Sequence, residues 1–553
     1  MTADALHGTI PQVLAQTVSS HGEREALVFP KLHLRLTWRQ LAQRVDDAAR
    51  GLIALGIGKG DHVALWATNV PEWVTLQFAT ARIGAVLVNI NPAYRAREMK
   101  YVLAQCDAKA LLLIDRFKTS DYLGMLREVC PELDSQPADA FRSENYPKLE
   151  RVITVRGTAP TGAIRWEEMI ERGGSVPVEQ LDRRTDSLAP TEAINIQYTS
   201  GTTGLPKAAM LSHRNILTNA YYVGACQRFS EEDRICIPVP FYHCFGCVMG
   251  TLCSAVYGAA MIVPGEFFDA RDTLDAIQRE RATAVYGVPT MFIRQLQDPT
   301  FAGRDLSSLR TGVMAGSPCP IEVMRKVVSQ MGASEITIAY GQTEASPVVT
   351  QTRVDDPLEL RVKTVGRPLP GVEVKIIDAA TGQELGDNQQ GELCSRGHQV
   401  MLGYYNQPEA TAEAIDQDGW LHSGDLAVRQ ENGYYRITGR IKDMVIRGGE
   451  NIYPREIEEF LFTHPAVEQV AVVGVPDAKY GEELCAWIRL VAGATASEEE
   501  IREYCREHLS RFKVPRYVRF VETFPQTVTG KIQKFKIRQQ MAEQLGLSEE
   551  ETA

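Results

Sequence analysis

Clustered positive charge is missing from this 553-residue sequence: 59 Lys and Arg stand against 70 Asp and Glu, the net charge is −11, and no basic run occurs. Binding to a phosphate backbone needs a concentrated cationic face, so nucleic acid is not an expected partner. A disulfide framework is missing too. Eleven cysteines are too few for so long a chain, and an odd number cannot pair fully within it; reduced thiols suit a cytoplasmic protein. The opening MTADALHGTI has neither the charged nor the apolar region of a signal peptide, and the closing SEEETA is no peroxisomal address. A cytoplasmic location is therefore the expectation. Repeats and low-complexity tracts are absent. Oligomeric state is not fixed, and a homodimer stays open.

One stretch does reach membrane-span length without a charge: CFGCVMGTLCSAVYGAAMIV, residues 244–263. Gly246, Gly250 and Gly258 interrupt it, and Tyr257-Gly258 reads as a helix end. A buried helix followed by a strand at 259–263 is the preferred reading, so no transmembrane segment is expected. Within the same stretch, Cys244 and Cys247 form a C-x-x-C directly after His243. A redox or zinc role is the alternative to burial; with no second ligand pair at zinc-finger spacing, buried thiols are favoured.

Against these absences stands YTSGTTGLPK, residues 198–207. It holds Gly201 and Gly204, hydroxyls at Thr199, Ser200, Thr202 and Thr203, and a cation at Lys207. Glycines let successive N–H groups turn inward to make a concave anion site, and the hydroxyls and lysine add donors for phosphate oxygens. The spacing GxxGxxK is not that of a Walker loop, which opens a helix. Residues 193–198 read as a strand, 208–211 are apolar, and Ser212 is a helix N-cap, so the loop joins two strands. The alternative is a Gly/Thr-rich surface turn.

The rest of the chain has a readable rhythm. Thr37-x-x-Gln40 is a capping box, and Leu41, Val45, Ala48, Leu52 and Leu55 follow at helical spacing. Strands at 62–67, 85–90 and 110–114 alternate with helices at 71–83 and 95–104, the pattern of a parallel sheet covered on both faces. Residues 130–148, with Pro131, Pro137 and Pro147, read as a loop excursion before a strand at 151–155. Helices at 214–227, 245–257 and 270–281 alternate with strands at 235–239, 259–263 and 283–287, giving a second doubly wound sheet. From about 360 to 435 short glycine-flanked strands (372–377, 391–396, 434–437) suggest a small β-barrel or sheet. The charged turn 439–443 divides an N-terminal domain, 1–440, from a C-terminal α+β domain, 441–553. The latter has helices at 454–462 and 534–545, strands at 467–475, 483–491 and 517–521, and a capping box at Ser497-x-x-Glu500. The expected class is α/β, with two doubly wound sheets plus a small β-barrel subdomain in the large domain.

YTSGTTGLPK resembles the phosphate-loop signature of the adenylate-forming superfamily, which includes acyl- and aryl-CoA synthetases, amino-acid adenylation domains and luciferases. The resemblance continues in order through PFYHCFG (240–246), YGQTE (340–344), HSGDL (422–426), GRIKDMVIRGGENIYP (439–454) and QTVTGK (526–531). It thus spans most of the chain, and it is strongest to medium-chain fatty-acyl-CoA synthetases. It implies a fatty acid, ATP and CoA as substrates, with Mg²⁺ as cofactor. The loop 199–207 would hold the β- and γ-phosphates. Gly316-Ser317-Pro318 and the turn Tyr340, Gly341, Gln342, Thr343 would surround the nucleotide, with Tyr340 stacking on adenine and the Thr343 hydroxyl on the α-phosphate. Glu344 would ligate Mg²⁺. Asp425 would take the ribose diol with support from Arg440, and Lys531, projected by Gly530, would bridge the carboxylate and an α-phosphate oxygen.

Lys442 matches the family pivot, about which the small domain rotates so that a strand at 445–450, with Gly448, Gly449 and Glu450, receives CoA. The acyl site would be lined by Tyr242, His243, Gly246 and Val248, with Gly287 and Val288 on the other wall; His243 is either a gate or a satisfied core histidine. From Phe241 to Ala260 there is no Asp, Glu, Lys or Arg. Amino-acid adenylation domains place an aspartate there, so an aliphatic tail suits the segment better. The rival readings are a ligase loading a carrier protein, a CoA ligase for an aryl or branched acid, a luciferase-like oxygenase, and a nucleotide-sensing scaffold.

Overall fold

The computed structural model describes residues 8–199, 206–317, 319–448, 450–477, 479–527 and 530–546. Local signals set the helix ends. At Thr37 the hydroxyl accepts from the Gln40 amide at 3.2 Å and the Gln40 side chain accepts from the Thr37 amide at 3.0 Å. The helix Trp38–Ala54 then buries Leu41, Val45 and Leu52. A cap contributes about 1 kcal/mol, whereas each buried aliphatic side chain contributes about 2 kcal/mol. The cap therefore fixes where this helix starts and the core face holds it in place. Ser212 and Ser497 cap the helices His213–Cys226 and Glu498–His508 in the same way.

Two large sheets organise the first part of the chain. The eight-stranded sheet runs in the order Gly403–Tyr404, Lys207–Ser212, Ala193–Thr199, Val86–Asn89, His62–Trp66, Ala108–Ile114, Arg151–Arg156, Ile164–Arg165. It is parallel from Ala193–Thr199 outward and antiparallel at its other edge. The nine-stranded sheet has six parallel central strands: Glu25–Phe29, Ala260–Ile262, Arg234–Cys236, Ala284–Gly287, Thr311–Met314 and Thr337–Gly341. Strands Leu34–Thr37, Val348–Gln351 and Arg367–Pro368 flank them antiparallel. The strand Glu25–Phe29 pairs with a strand more than two hundred residues later, which no local pattern announces.

Some expectations shift. The region 130–148 contains the 3₁₀ turns Pro131–Asp134 and Ala138–Ala140 and buries Leu133 and Phe141, so it is packed rather than a plain loop. The helix expected at 245–257 is a π-helix, Phe245–Leu252, running into the α-helix Cys253–Tyr257. Its carbonyls are drawn out of regular pairing: Cys247 O accepts from Gln77 Nε2 at 2.9 Å and from the Thr251 hydroxyl at 2.7 Å. Among the described residues no helix is long and apolar enough to cross a membrane. The short strands beyond 360 form an open antiparallel sheet in the order Val372–Ile377, Gln390–Gly397, Leu421–Arg429, Tyr435–Arg440.

One continuous apolar cluster runs from Ile10 to Ile437. Beyond 445 the sheet built on the hairpin Val467–Asp477 and Gly481–Leu490 has a cluster on each face. Val470, Val472, Leu484 and Ala486 pack with Ile457 and Ile501 on one side; Ala471, Val473, Cys485 and Trp487 pack with Ile537 and Met541 on the other. Alternation along both strands produces this division. No apolar cluster of described residues spans the turn Ile441–Asp443.

Candidate active site

The strands Ala193–Thr199 and Lys207–Ser212 pair antiparallel, with Thr199 opposite Lys207 as the last rung. The glycine-rich loop therefore joins two strands at a sheet end, and Ser200, Gly201, Thr202, Thr203 and Gly204 lie outside the described residues. Lys207 stands over the Tyr404 ring, its Nζ 5.0 Å from the centroid. The Tyr404 hydroxyl donates to Glu344 Oε1 at 2.7 Å, and Met401 N donates to Glu344 O at 2.9 Å. Segment 401–405 thus ties the phosphate-loop strand to the YGQTE turn. Tyr404 was not singled out from sequence; the glycine–aromatic run GYY at 403–405 was the available signal.

The YGQTE turn is held by its own sterics. A Cβ on Gly341 would overlap the Pro347 carbonyl, so the strand can bend back there only as glycine. Gln342 is extended and Thr343–Ala345 makes a 3₁₀ turn. Thr343 and Glu344 are half-buried. Glu344 uses one oxygen on Tyr404, and no described side chain bonds the other. A half-buried carboxylate with a free oxygen beside a hydroxyl suits a hard cation such as Mg²⁺.

Asp425 is the most constrained carboxylate of the site. Its side chain is 8% exposed. Tyr340 donates its hydroxyl to Oδ2 at 2.8 Å, and Arg440 Nε donates to Oδ1 at 2.6 Å. The register pairs Asp425 with Arg440 across adjacent strands. Asp425's charge holds the Arg440 guanidinium above its ordinary pKa. Burial, then Asp425, pushes the Tyr340 hydroxyl well up, so it remains a donor. Each carboxylate oxygen keeps a further lone pair, enough for two vicinal hydroxyls. Tyr340 had been expected only as a stacking face; its hydroxyl also orients Asp425.

Lys531 comes from the other side of the 441–443 turn. Thr527 N donates to Lys531 O at 2.8 Å, and Lys531 N donates to the Thr527 hydroxyl at 3.1 Å. Gly530 closes this loop with φ +80°, and a Cβ there would sit 2.6 Å from Thr290 Oγ1 and 3.4 Å from Val288 Cγ2. Val288 also lies under Gly316, so one side chain seats both. Ser317 follows Gly316, and Pro318 is not among the described residues. The Lys531 ammonium is reachable by solvent yet surrounded by protein. Burial lowers its pKa first and Arg440 next, while Asp425 and Asp443 oppose. His243 is pushed to about 4 by burial and then by the Lys531 charge. It is thus a neutral imidazole at neutral pH.

The uncharged segment beside His243 is densely packed. Tyr242 is buried with its ring 4.3 Å from the His243 ring, and its hydroxyl has no partner among the described residues. Val248 is fully buried. A Cβ on Gly246 would overlap the Pro240 carbonyl, so this glycine allows close packing on residues 240–241 and does not open space for a ligand. Gly287 lies against the Phe292 ring. Cys247 Sγ accepts from Gln197 Nε2 at 3.1 Å. Cys247 and then burial push the Cys244 thiol up. No metal-spaced group of described residues includes either cysteine.

The expected strand 445–450 is instead a hairpin, Val445–Arg447 with Glu450–Ile452, because Gly448 turns the chain at φ +61°. Gly449 is outside the described residues. The hairpin's bonds run to Glu482, Glu483, Phe512 and Tyr480. The structure therefore gathers Lys207, Glu344, Tyr340, Asp425, Arg440, His243 and Lys531, while the hairpin bonds elsewhere. Lys442 lies in the Ile441–Asp443 turn between the two groups.

The profile of the AMP-binding enzyme family matches residues 14–405, and that of the AMP-binding enzyme C-terminal domain matches 456–531. The chain belongs to the AMP-binding enzymes. It is 50% identical over 546 residues to the putative acyl-CoA synthetase YngI of Bacillus subtilis, covering 99% of both chains. It is 44% identical to the human mitochondrial medium-chain acyl-CoA ligase ACSF2, covering 98% of this chain and 88% of that one. Among solved structures it resembles ATP-bound MatB from Rhodopseudomonas palustris (TM-score 0.82, 28% identity, 96% and 98% covered). It also resembles the anthranilate CoA ligase AuaEII with anthranoyl-AMP (TM-score 0.83, 26% identity, 99% and 100% covered).

Proposed function

We propose that this chain is an AMP-forming acid–thiol ligase that activates a medium-chain fatty acid with ATP and passes the acyl group to CoA. The observation that carries the reading is the docking of the Gly530–Lys531 loop on Thr290 and Val288, which brings the Lys531 charge within electrostatic reach of Asp425, Arg440 and His243, at the start of an uncharged helix. In the first step a carboxylate oxygen attacks the α-phosphorus, and the bond to pyrophosphate breaks. Lys531 bridges attacking and phosphoryl oxygens while their negative charges converge. Asp425 fixes the ribose, and Lys207 with the 199–207 loop neutralises the departing phosphates. Glu344 would hold Mg²⁺, which when bound would add screening of the triphosphate charge. In the second step the CoA thiolate attacks the acyl carbonyl and AMP leaves. Gly448, Gly449 and Glu450 are the residues assigned to CoA, reached by rotation about Lys442.

The neutral His243 and the absence of charge from 241 to 260 favour an aliphatic tail over an amino acid. The names of the ACSF2 relatives support a medium chain. The free thiols of all eleven cysteines, ten of them buried, suit a reducing cytoplasmic setting. The site residues all come from one chain, so a homodimer is compatible with the reading without being needed by it. The test is AMP release with ATP, Mg²⁺, CoA and acids from butyrate to palmitate. A maximum near octanoate is expected; release only with aryl acids, or only with a carrier protein as acceptor, overturns the substrate assignment.

A further inference from the structure

Behind the ribose carboxylate, the four-stranded sheet carries a second cluster that the reaction does not use. The register places Cys394 opposite His422 on one side and opposite Lys375 on the other. Glu392 lies two residues before Cys394 and so projects from the same face. His422 Nδ1 is 3.2 Å from Glu392 Oε2 and 3.6 Å from Cys394 Sγ. One ligand atom from each of the three lies within 4.8 Å of the others. The Glu392 side chain is 11% exposed and that of His422 30%, so the cluster is sheltered but reachable from solvent.

The two separations made by His422 Nδ1, 3.2 Å to Glu392 and 3.6 Å to Cys394, are close to those around a metal ion. Around a tetrahedral zinc ion with Zn–S of about 2.3 Å and Zn–N or Zn–O of about 2.0 Å, neighbouring ligand atoms lie roughly 3.3–3.6 Å apart. The hydrogen-bond chemistry agrees. His422 Nε2 is 3.5 Å from Asp416 Oδ2. Without an ion, a proton on Nδ1 is shared with Glu392 Oε2 at 3.2 Å; with the proton on Nε2, toward Asp416, Nδ1 is left as a lone pair for an ion. A carboxylate on the far nitrogen is also the usual partner of a metal-bound imidazole. Glu392 is held in place independently, because its Oε1 accepts the Gly424 amide at 2.9 Å. The nearby Lys375 ammonium lies over the Trp420 ring, 4.3 Å from its centroid. One sulfur, one nitrogen and one oxygen donor suit a borderline-soft ion and disfavour Mg²⁺ or Ca²⁺.

We propose that Cys394, His422 and Glu392 form a binding site for a zinc-class divalent cation, with Asp416 orienting His422. The bound ion replaces the Cys394 thiol proton, which passes to buffer, and a solvent molecule completes the fourth position. Glu392 also holds the amide next to Asp425, so the ion braces the base of the ribose turn without touching substrate.

The experiment uses the full chain, stripped with a chelator and freed of it, without nucleotide. Zn²⁺ is titrated in competition with a chromophoric chelator, and the thermal midpoint is followed with and without the ion. About one Zn²⁺ per chain is expected, with a midpoint that rises on loading. His422→Gln, at a half-exposed position, should weaken uptake by about 100-fold and abolish the rise. Cys394→Ser should remove the thiolate charge-transfer band of the Co²⁺-loaded protein. No stoichiometric uptake, or uptake unchanged in both variants, overturns the proposal. Neither readout depends on the ligase reaction.

Discussion

The C-terminal lobe carries two glycine-built turns, and they differ in what they touch. The loop at 527–531 reaches out of its lobe: Gly530 packs on Thr290 and Val288, and the Lys531 charge is felt at His243 while Arg440 and Asp425 act on Lys531 in turn. The hairpin Val445–Arg447 with Glu450–Ile452 stays home, bonding to Glu482, Glu483, Phe512 and Tyr480. Ile446 on that hairpin is 50% exposed. Two turns on one packed lobe cannot take the same place at once. The apolar clusters also stop at either side of Ile441–Asp443, leaving polar contacts to be exchanged. From this contrast we propose two orientations of one lobe, one for each half-reaction.

Removing the docked amine should break the comparison most sharply. Lys531→Ala should slow acyl-AMP formation by about 10³-fold, because a cation aimed at developing phosphoryl charge is lost. Thioester formation from supplied acyl-AMP should change by less than about 3-fold; following each half-reaction separately checks both. The mirror variant is Gly448→Val. At φ +61° a β-branched residue is strained, and the CoA approach is narrowed. Thioester formation should fall by about 10²-fold while acyl-AMP formation is kept. Equal loss in both steps for either variant would mean the two turns do not divide the work.

Much of this was legible beforehand for physical reasons. Turns that bend at positive φ or pack too closely for a Cβ need glycine at fixed places, so 340–344 and 422–426 stand out in the sequence, as does the segment between the strands that end at Thr199 and begin at Lys207. Capping boxes at Thr37 and Ser497 and the N-cap at Ser212 mark helix starts for the same reason. What sequence could not give depends on distant partners. Glu25–Phe29 finds its sheet neighbour by global packing. The π-helix at 245–252 depends on Gln77, and the role of Tyr404 on a strand pairing across the sheet edge. Gly246 shows the limit on the site itself: it was placed in the acyl-site lining, but the space beside it is taken by the chain at Pro240.

A smaller effect tests the first lobe alone. Asp425→Asn keeps the shape but removes the charge that pairs Arg440, and should raise the KM for ATP about 10-fold with less change in the KM for the acid. A separate effect is the pH response of stability. His213 is fully buried, accepts the Ile10 amide at Nδ1 (3.2 Å), and has its pKa pushed to about 4 by burial. The unfolded ring titrates near 6.5, so between the two values the unfolded state binds more protons. Its contribution is complete above about pH 6.5 and is lost as pH falls toward 4, up to about 3 kcal/mol. Denaturant midpoints across that window should fall, and His213→Gln should flatten the slope. The histidine lies in the 10–437 core, so the loss should appear there before the C-terminal lobe.

The central claim is that one nucleotide site, framed by Asp425 and the 199–207 turn, is completed by Lys531. A crystal structure with a non-hydrolysable acyl-AMP analogue tests it most directly. The account predicts the ribose hydroxyls on Asp425, the Lys531 ammonium at the acyl–phosphoryl junction and the acyl chain running past His243. Adenosine bound away from Asp425, or Lys531 remote from the junction, would contradict it.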